Sequence, residues 1–109
     1  MNVKERFLKY VSYWTTSDED SQTVPSTKRQ FDLAKELEQE MIALGLEKVK
    51  LTDQCYLYGL LPATAGMEKA KAVGFIAHMD TAPDFCGEHV KPQIIEQYDG
   101  GDVLLKGAN

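Results

Sequence analysis

The run AVGFIAHM at residues 72–79 restricts the fold more than any other part of the sequence. It is apolar at almost every position, which is typical of a strand covered on both faces. Such a strand belongs in a sheet flanked by helices. The run therefore predicts a layered α/β arrangement in which this strand is buried.

Two helices are predicted ahead of this strand. Residues 3–14 and residues 28–44 both repeat apolar side chains at helical spacing. The second helix is expected to begin at a capping box made by Thr27 and Gln30 and to end before Gly45, at the position of a left-handed C-cap. The predicted apolar faces are Val3, Phe7, Val11 and Trp14 in the first helix and Phe31, Ala34, Leu37, Met41 and Leu44 in the second.

Shorter strands are predicted after the second helix. KVKLTD at residues 48–53 alternates with period two, and CYLYGLLP at residues 55–62 is suited to pair with it as a hairpin. Weaker strand patterns occur at residues 93–96 and 103–105. The order of two helices followed by strands predicts an α/β fold with a mixed sheet, and a length of 109 residues allows one small domain.

Composition argues against several classes of function. The 12 basic and 17 acidic side chains give a net charge of −5, which disfavours binding to a phosphate backbone. The N-terminal residues lack the pattern of a signal peptide, and no window is apolar enough to span a bilayer. The two cysteines are too few for a disulfide scaffold, which favours a cytoplasmic location. Together with the charge and the lack of an apolar window, this leads us to expect a protein without nucleic-acid or membrane partners.

His78 and Asp80 follow the predicted buried strand at a spacing that places both side chains on one face. Ligand crevices of open α/β sheets lie at the carboxyl ends of strands. A neutral imidazole is a good Zn²⁺ ligand, and a carboxylate two residues away could orient that ring or a neighbouring ligand. The alternative is an ordinary strand end, with a hydrogen-bonded histidine and an aspartate that caps the next turn.

Two other groups of residues have side chains of the types found in functional sites. Cys86 and His89 have the residue types of a zinc site or a cysteine nucleophile, but the sequence offers neither a second ligand pair nor an oxyanion hole. We therefore expect Cys86 to be a loop cysteine, with a cysteine hydrolase as a weak alternative. Glu36, Glu38 and Glu40 are expected to form a solvated helix face.

The segment GFIAHMDTAPD at residues 74–84 resembles the first metal-ligand motif of the peptidase T family, tripeptide-cleaving aminopeptidases among the dinuclear-zinc exopeptidases. Three further segments resemble the same family in the same order. They are ERFLKYVSYWTTS, VPSTKRQFDLAKELEQEMIALGL and PQIIEQYDGGD, and together with the motif they extend from Glu5 to Asp102, so the resemblance reaches from one end of the chain nearly to the other.

This resemblance implies an α/β catalytic domain interrupted by a smaller lid or dimerisation domain, so a homo-oligomer is an open alternative. It implies two zinc ions that share a bridging water, and a glutamate that takes the water's proton as the water attacks a tripeptide. Carried over to this sequence, His78 would be a zinc ligand. Asp80 would be the catalytic-site carboxylate that orients an active-site histidine ligand.

The resemblance also implies that most of the site is missing from this chain. The family's bridging aspartate, its Glu-Glu pair, a further acidic ligand and a distal histidine would all come after Asn109. Residues 1–109 are thus expected to be the N-terminal part of a catalytic domain, inactive and without bound zinc by itself. The alternative is a non-catalytic α/β binding or regulatory module that keeps a remnant His-x-Asp motif.

Overall fold

The computed structural model of the chain describes residues 1–107. In chain order it contains helix α1 at Val3–Tyr10, helix α2 at Gln30–Ala43, strand β1 at Glu47–Leu51 and strand β2 at Leu57–Leu60. The predicted order of two helices followed by strands is confirmed. Within the described part, no helix has the length and apolarity needed to cross a bilayer.

Helix α1 is shorter than predicted and faces differently. Asn2 and Glu5 form a reciprocal capping box at its start, and the helix ends at Tyr10 instead of continuing to residue 14. The predicted buried face was wrong, because Val3 and Phe7 are 81% and 62% exposed. The helix instead turns its charged side chains towards α2, where oppositely charged partners are available.

Helix α2 carries most of a small core. Leu33 and Ala34 on this helix are buried, together with Cys55 of the following hairpin. The predicted capping box at its start was wrong: the N-cap residue is Arg29, and among the described residues its side chain makes no capping hydrogen bond. The Thr27 hydroxyl instead accepts a hydrogen bond of 3.0 Å from the side-chain amide of Gln30, so this pair is engaged in a side-chain contact.

The predicted end of α2 at Gly45 is confirmed. Gly45 has φ +83°, and its N–H donates to Ile42 O at 3.0 Å while the N–H of Leu46 donates to Met41 O at 3.1 Å. These two hydrogen bonds together form a Schellman motif. Gly59 of β2 lies against this helix end, where an added Cβ would come within 2.9 Å of Leu46 Cδ2.

The predicted hairpin is confirmed, although in the part of the chain that the structure describes its sheet has only two strands. β1 and β2 pair antiparallel, with an irregularity between Glu47 and Lys50. The turn is closed by Thr52, whose hydroxyl accepts from the N–H of Tyr56 at 3.1 Å. The mixed sheet does not form within residues 1–107, where the one parallel pairing is an isolated bridge between Thr16 and Thr81.

The prediction of a buried strand at residues 72–79 was wrong for this chain. The segment has no regular structure, and Phe75 and Ile76 are 96% and 101% exposed. Its backbone finds no neighbouring strand within the described part, because β1 and β2 pair with each other and α2 contacts that hairpin. Residues 93–96 and 103–105 likewise form no strand.

Candidate active site

His78 and Asp80 contact each other directly. His78 Nδ1 lies 3.1 Å from Asp80 Oδ1, so the i, i+2 spacing places the two side chains side by side as predicted. The His78 side chain is 83% exposed, whereas that of Asp80 is 37% exposed. The pair is therefore open to ligands from outside the described part of the chain.

The contact fixes the chemical character of the imidazole. An ionised carboxylate can only accept hydrogen bonds, so Nδ1 must carry the hydrogen that Asp80 accepts. In a neutral ring the lone pair then belongs to Nε2, the atom free to bind a metal. This arrangement of carboxylate, histidine and open Nε2 suits one zinc ligand with its supporting group.

The chain immediately after Asp80 is held by residues 15–17. The N–H of Thr81 donates to Thr15 O at 3.3 Å, and the N–H of Ser17 donates to Thr81 O at 3.0 Å. Thr15 and Thr16 are only 4% and 7% exposed, in a chain with few buried residues. The candidate site thus stands on one of the best-buried segments of the structure.

The start of α2 in turn holds Thr16. Its carbonyl oxygen accepts from Arg29 Nε at 2.9 Å, Arg29 Nη2 at 2.7 Å and the Thr27 hydroxyl at 3.0 Å. The Arg29 guanidinium stacks over the ring of Trp14, 3.9 Å from its centroid. A charged donor, a hydroxyl and an aromatic face therefore fix the backbone at residue 16.

The described residues do not complete a metal site. Nowhere in residues 1–107 do three or more histidine, cysteine, aspartate or glutamate side chains gather to hold an ion. His89 lies beside its neighbour Glu88, with 3.6 Å between Nε2 and Oε1, and Cys86 is exposed. Within the described residues, His78 and Asp80 could thus provide at most one metal ligand and a carboxylate to support it.

The glutamates of α2 were predicted incorrectly as a purely solvated face. Glu36 accepts from Lys9, and Glu40 accepts from both Tyr10 and Arg6, so two of them join α2 to α1. The Lys9 hydrogen bond lowers the pKa of Glu36, and the bonds from Tyr10 and Arg6 lower the pKa of Glu40. Burial and the bond to Glu40 raise the pKa of Tyr10 to about 12.

Sequence reasoning missed Thr16 and Gly87. The N–H of Gly87 donates to the Thr16 hydroxyl at 3.1 Å, although the residues are 71 positions apart. Thr16 belongs to a polar stretch that resembles any surface loop, and Gly87 belongs to no motif. Neither residue carries a local signal, because their contact depends on the tertiary structure.

Several known proteins similar to this chain carry the same name. Curated proteins called peptidase T match it at 55% identity in Caldanaerobacter subterraneus, 54% in Shewanella halifaxensis and 51% in Alkaliphilus oremlandii. These matches cover 93% to 95% of this chain and confirm the similarity predicted from its segments. The chain spans about a quarter of the length of these relatives. No protein-family model matches it.

Proposed function

We propose that this chain is the N-terminal part of a zinc-dependent aminopeptidase of the peptidase T kind, which releases the N-terminal residue of tripeptides. The proposal is supported by the similarity to proteins of that name over nearly all of this chain. One observation carries the catalytic part: the Asp80 carboxylate holds Nδ1 of the exposed His78.

Each residue of the pair has a distinct role in this proposal. His78 binds one zinc ion through Nε2, and Asp80 fixes the tautomer and orientation of the ring from the opposite side. A ring held in this way loses less rotational freedom when it binds, and its lone pair stays on the binding atom. Asp80 thus acts on the metal through His78.

Zinc, when bound, supplies Lewis-acid polarisation of the scissile carbonyl and activation of a water molecule. His78 and Asp80 fit a zinc ion as one ligand and its supporting carboxylate. The remaining ligands and the general base would come from the longer protein. Because a zinc site needs several ligands in fixed geometry, the 109 residues alone are expected neither to retain zinc nor to cleave tripeptides. We further propose a cytoplasmic location, with tripeptides as substrates and a homo-oligomer as an open alternative.

The test uses the complete product of the gene that encodes these residues, called here the full-length protein. We expect it to release the N-terminal residue from tripeptides, to lose this activity with a chelator and to regain it with zinc. The 109-residue chain, assayed in parallel with zinc, is expected to be inactive. Zinc-dependent cleavage by the short chain would contradict its role as part of a site.

A non-catalytic module is the rival proposal, and the coding sequence beyond Asn109 separates the two. An acidic segment followed by a Glu-Glu pair would support the enzyme. A stop codon directly after Asn109 would support a binding or regulatory module.

A further inference from the structure

The hydroxyl of Thr16 joins both ends of the loop that follows Asp80. At the start of residues 81–87, the Thr81 hydroxyl lies 3.2 Å from Thr16 Oγ1, and one of the two hydroxyls donates to the other. At the end of the loop, the N–H of Gly87 donates to the same Thr16 oxygen at 3.1 Å. A single buried side chain therefore closes the loop.

Gly87 allows this close approach because it has no side chain. An added Cβ would lie 2.5 Å from Thr16 Oγ1 and 3.0 Å from Thr81 Oγ1. The first distance is too short for a stable contact, so the Thr16 side chain or the loop would have to move. The contact between Gly87 and Thr16 thus depends on close packing as well as on a hydrogen bond. A substitution at either residue can disturb it.

The position of Thr16 is itself determined by α2. Arg29 and Thr27 hold its carbonyl oxygen, and only 7% of the residue is exposed. The hydrogen bonds thus form a continuous path from the start of α2 through Thr16 to the loop, and the loop begins at the residue after Asp80.

We propose that Thr16 is a positioning residue, which clamps residues 81–87 through its hydroxyl and so holds Asp80 against His78 Nδ1. The proposal deepens the proposed function, on which it rests for its link to zinc. Loss of the clamp would allow residues 81–87 to move away from Thr16. Asp80 could then shift relative to the imidazole ring of His78. Small displacements of this kind weaken metal binding and catalysis without removing any reacting group.

The test compares Thr16→Val, which keeps the shape and removes the hydroxyl, with Thr16→Ser, which keeps the hydroxyl, in the full-length protein. For Thr16→Val we expect faster amide hydrogen exchange within residues 81–87. We also expect zinc affinity and kcat/KM to fall about tenfold, the lower end of the usual cost of losing a group that supports a metal ligand. Thr16→Ser is expected to restore all three close to wild type, and Thr64→Val, at an exposed position, serves as the matched control.

Gly87→Ala provides a second, independent variant. It leaves the hydroxyl in place but obstructs the contact, so it should also speed exchange within the loop and weaken zinc binding. This variant keeps the proposal testable if Thr16→Val does not fold.

Two results would overturn the clamp. One is wild-type exchange and zinc affinity in both Thr16→Val and Gly87→Ala. The other is an equal defect in Thr16→Ser and Thr16→Val, which would show that packing and not the hydroxyl matters. A full-length protein that cleaves no tripeptide would contradict the proposed function instead, whereas loop exchange and zinc binding would still decide the role of Thr16.

Discussion

At the scale of single residues, the pair of His78 and Asp80 follows from the sequence but its surroundings do not. An i, i+2 spacing in extended chain places two side chains on one face wherever it occurs, and the 3.1 Å contact agrees with that rule. Thr16 and Gly87 come from distant parts of the chain and meet only after folding. Local patterns therefore predict the pair, whereas tertiary contacts determine what supports it.

Replacing Asp80 tests its supporting role at this scale. Asp80→Asn keeps the size of the side chain but removes the charge that Nδ1–H contacts, so we expect zinc affinity in the full-length protein to fall about 10–100-fold. Isothermal titration with zinc measures the change. Asp84→Asn, an exposed aspartate in the adjoining loop, is the control and should bind zinc like the wild type. Equal affinities for all three proteins would contradict the assignment.

At the scale of elements, sequence patterns predict structure that depends on local interactions. The C-cap at Gly45 and the β1–β2 hairpin were predicted because their bonds link residues close in sequence. The strand at residues 72–79 was not obtained, since such a strand needs partners that residues 1–107 do not provide. The buried face of α1 was also predicted incorrectly. The apolar pattern indicated one face of the helix, whereas ion pairs turn its charged face towards α2.

Glu40→Gln tests the junction between α1 and α2. The substitution removes the carboxylate that accepts from Tyr10 and Arg6, so we expect amide exchange in α1 to become faster. Glu38→Gln is the matched control on the same helix, where Glu38 makes no ion pair with any described residue. If the amides of α1 exchange equally slowly in both variants, the contacts of Glu40 do not hold α1 against α2.

The same junction predicts a pH dependence. Because folding lowers the pKa of Glu36 and Glu40 below the ordinary 4.5, their stabilisation is present above that value and is lost as the pH falls through the lowered pKa. Protection of α1 amides, corrected for intrinsic exchange rates, should fall over this acidic range in the wild type. The fall should be weaker in Glu40→Gln. An unchanged pH profile in that variant would contradict the assignment.

At the scale of the whole molecule, the chain exposes more surface than a complete domain of its size. Its radius of gyration is 17.3 Å, compared with about 13 Å for a compact domain of similar length. Its accessible surface is 9394 Å², whereas about 6,000 Å² is typical for this mass. These values are those expected of a partial domain, in which the longer protein proposed above would cover the apolar run at residues 72–79.

We therefore expect the 109-residue chain to self-associate through residues 72–79 when it is isolated. Sedimentation at several concentrations should show a mass that rises with concentration. Phe75→Lys with Ile76→Lys should shift the chain towards monomer, because these side chains are almost fully exposed. Gln22→Lys with Thr23→Lys adds the same charge at exposed polar positions and should have less effect. A wild-type chain that is monomeric at all concentrations would contradict this expectation.

The zinc content of the full-length protein with His78→Ala, measured beside His89→Ala, tests the central claim most directly. Both histidines are exposed and each lies beside an acidic neighbour, so the two variants differ mainly in the proposed ligand. We predict that His78→Ala loses bound zinc and tripeptide cleavage, whereas His89→Ala retains both. Full zinc content and full activity in His78→Ala would contradict the account.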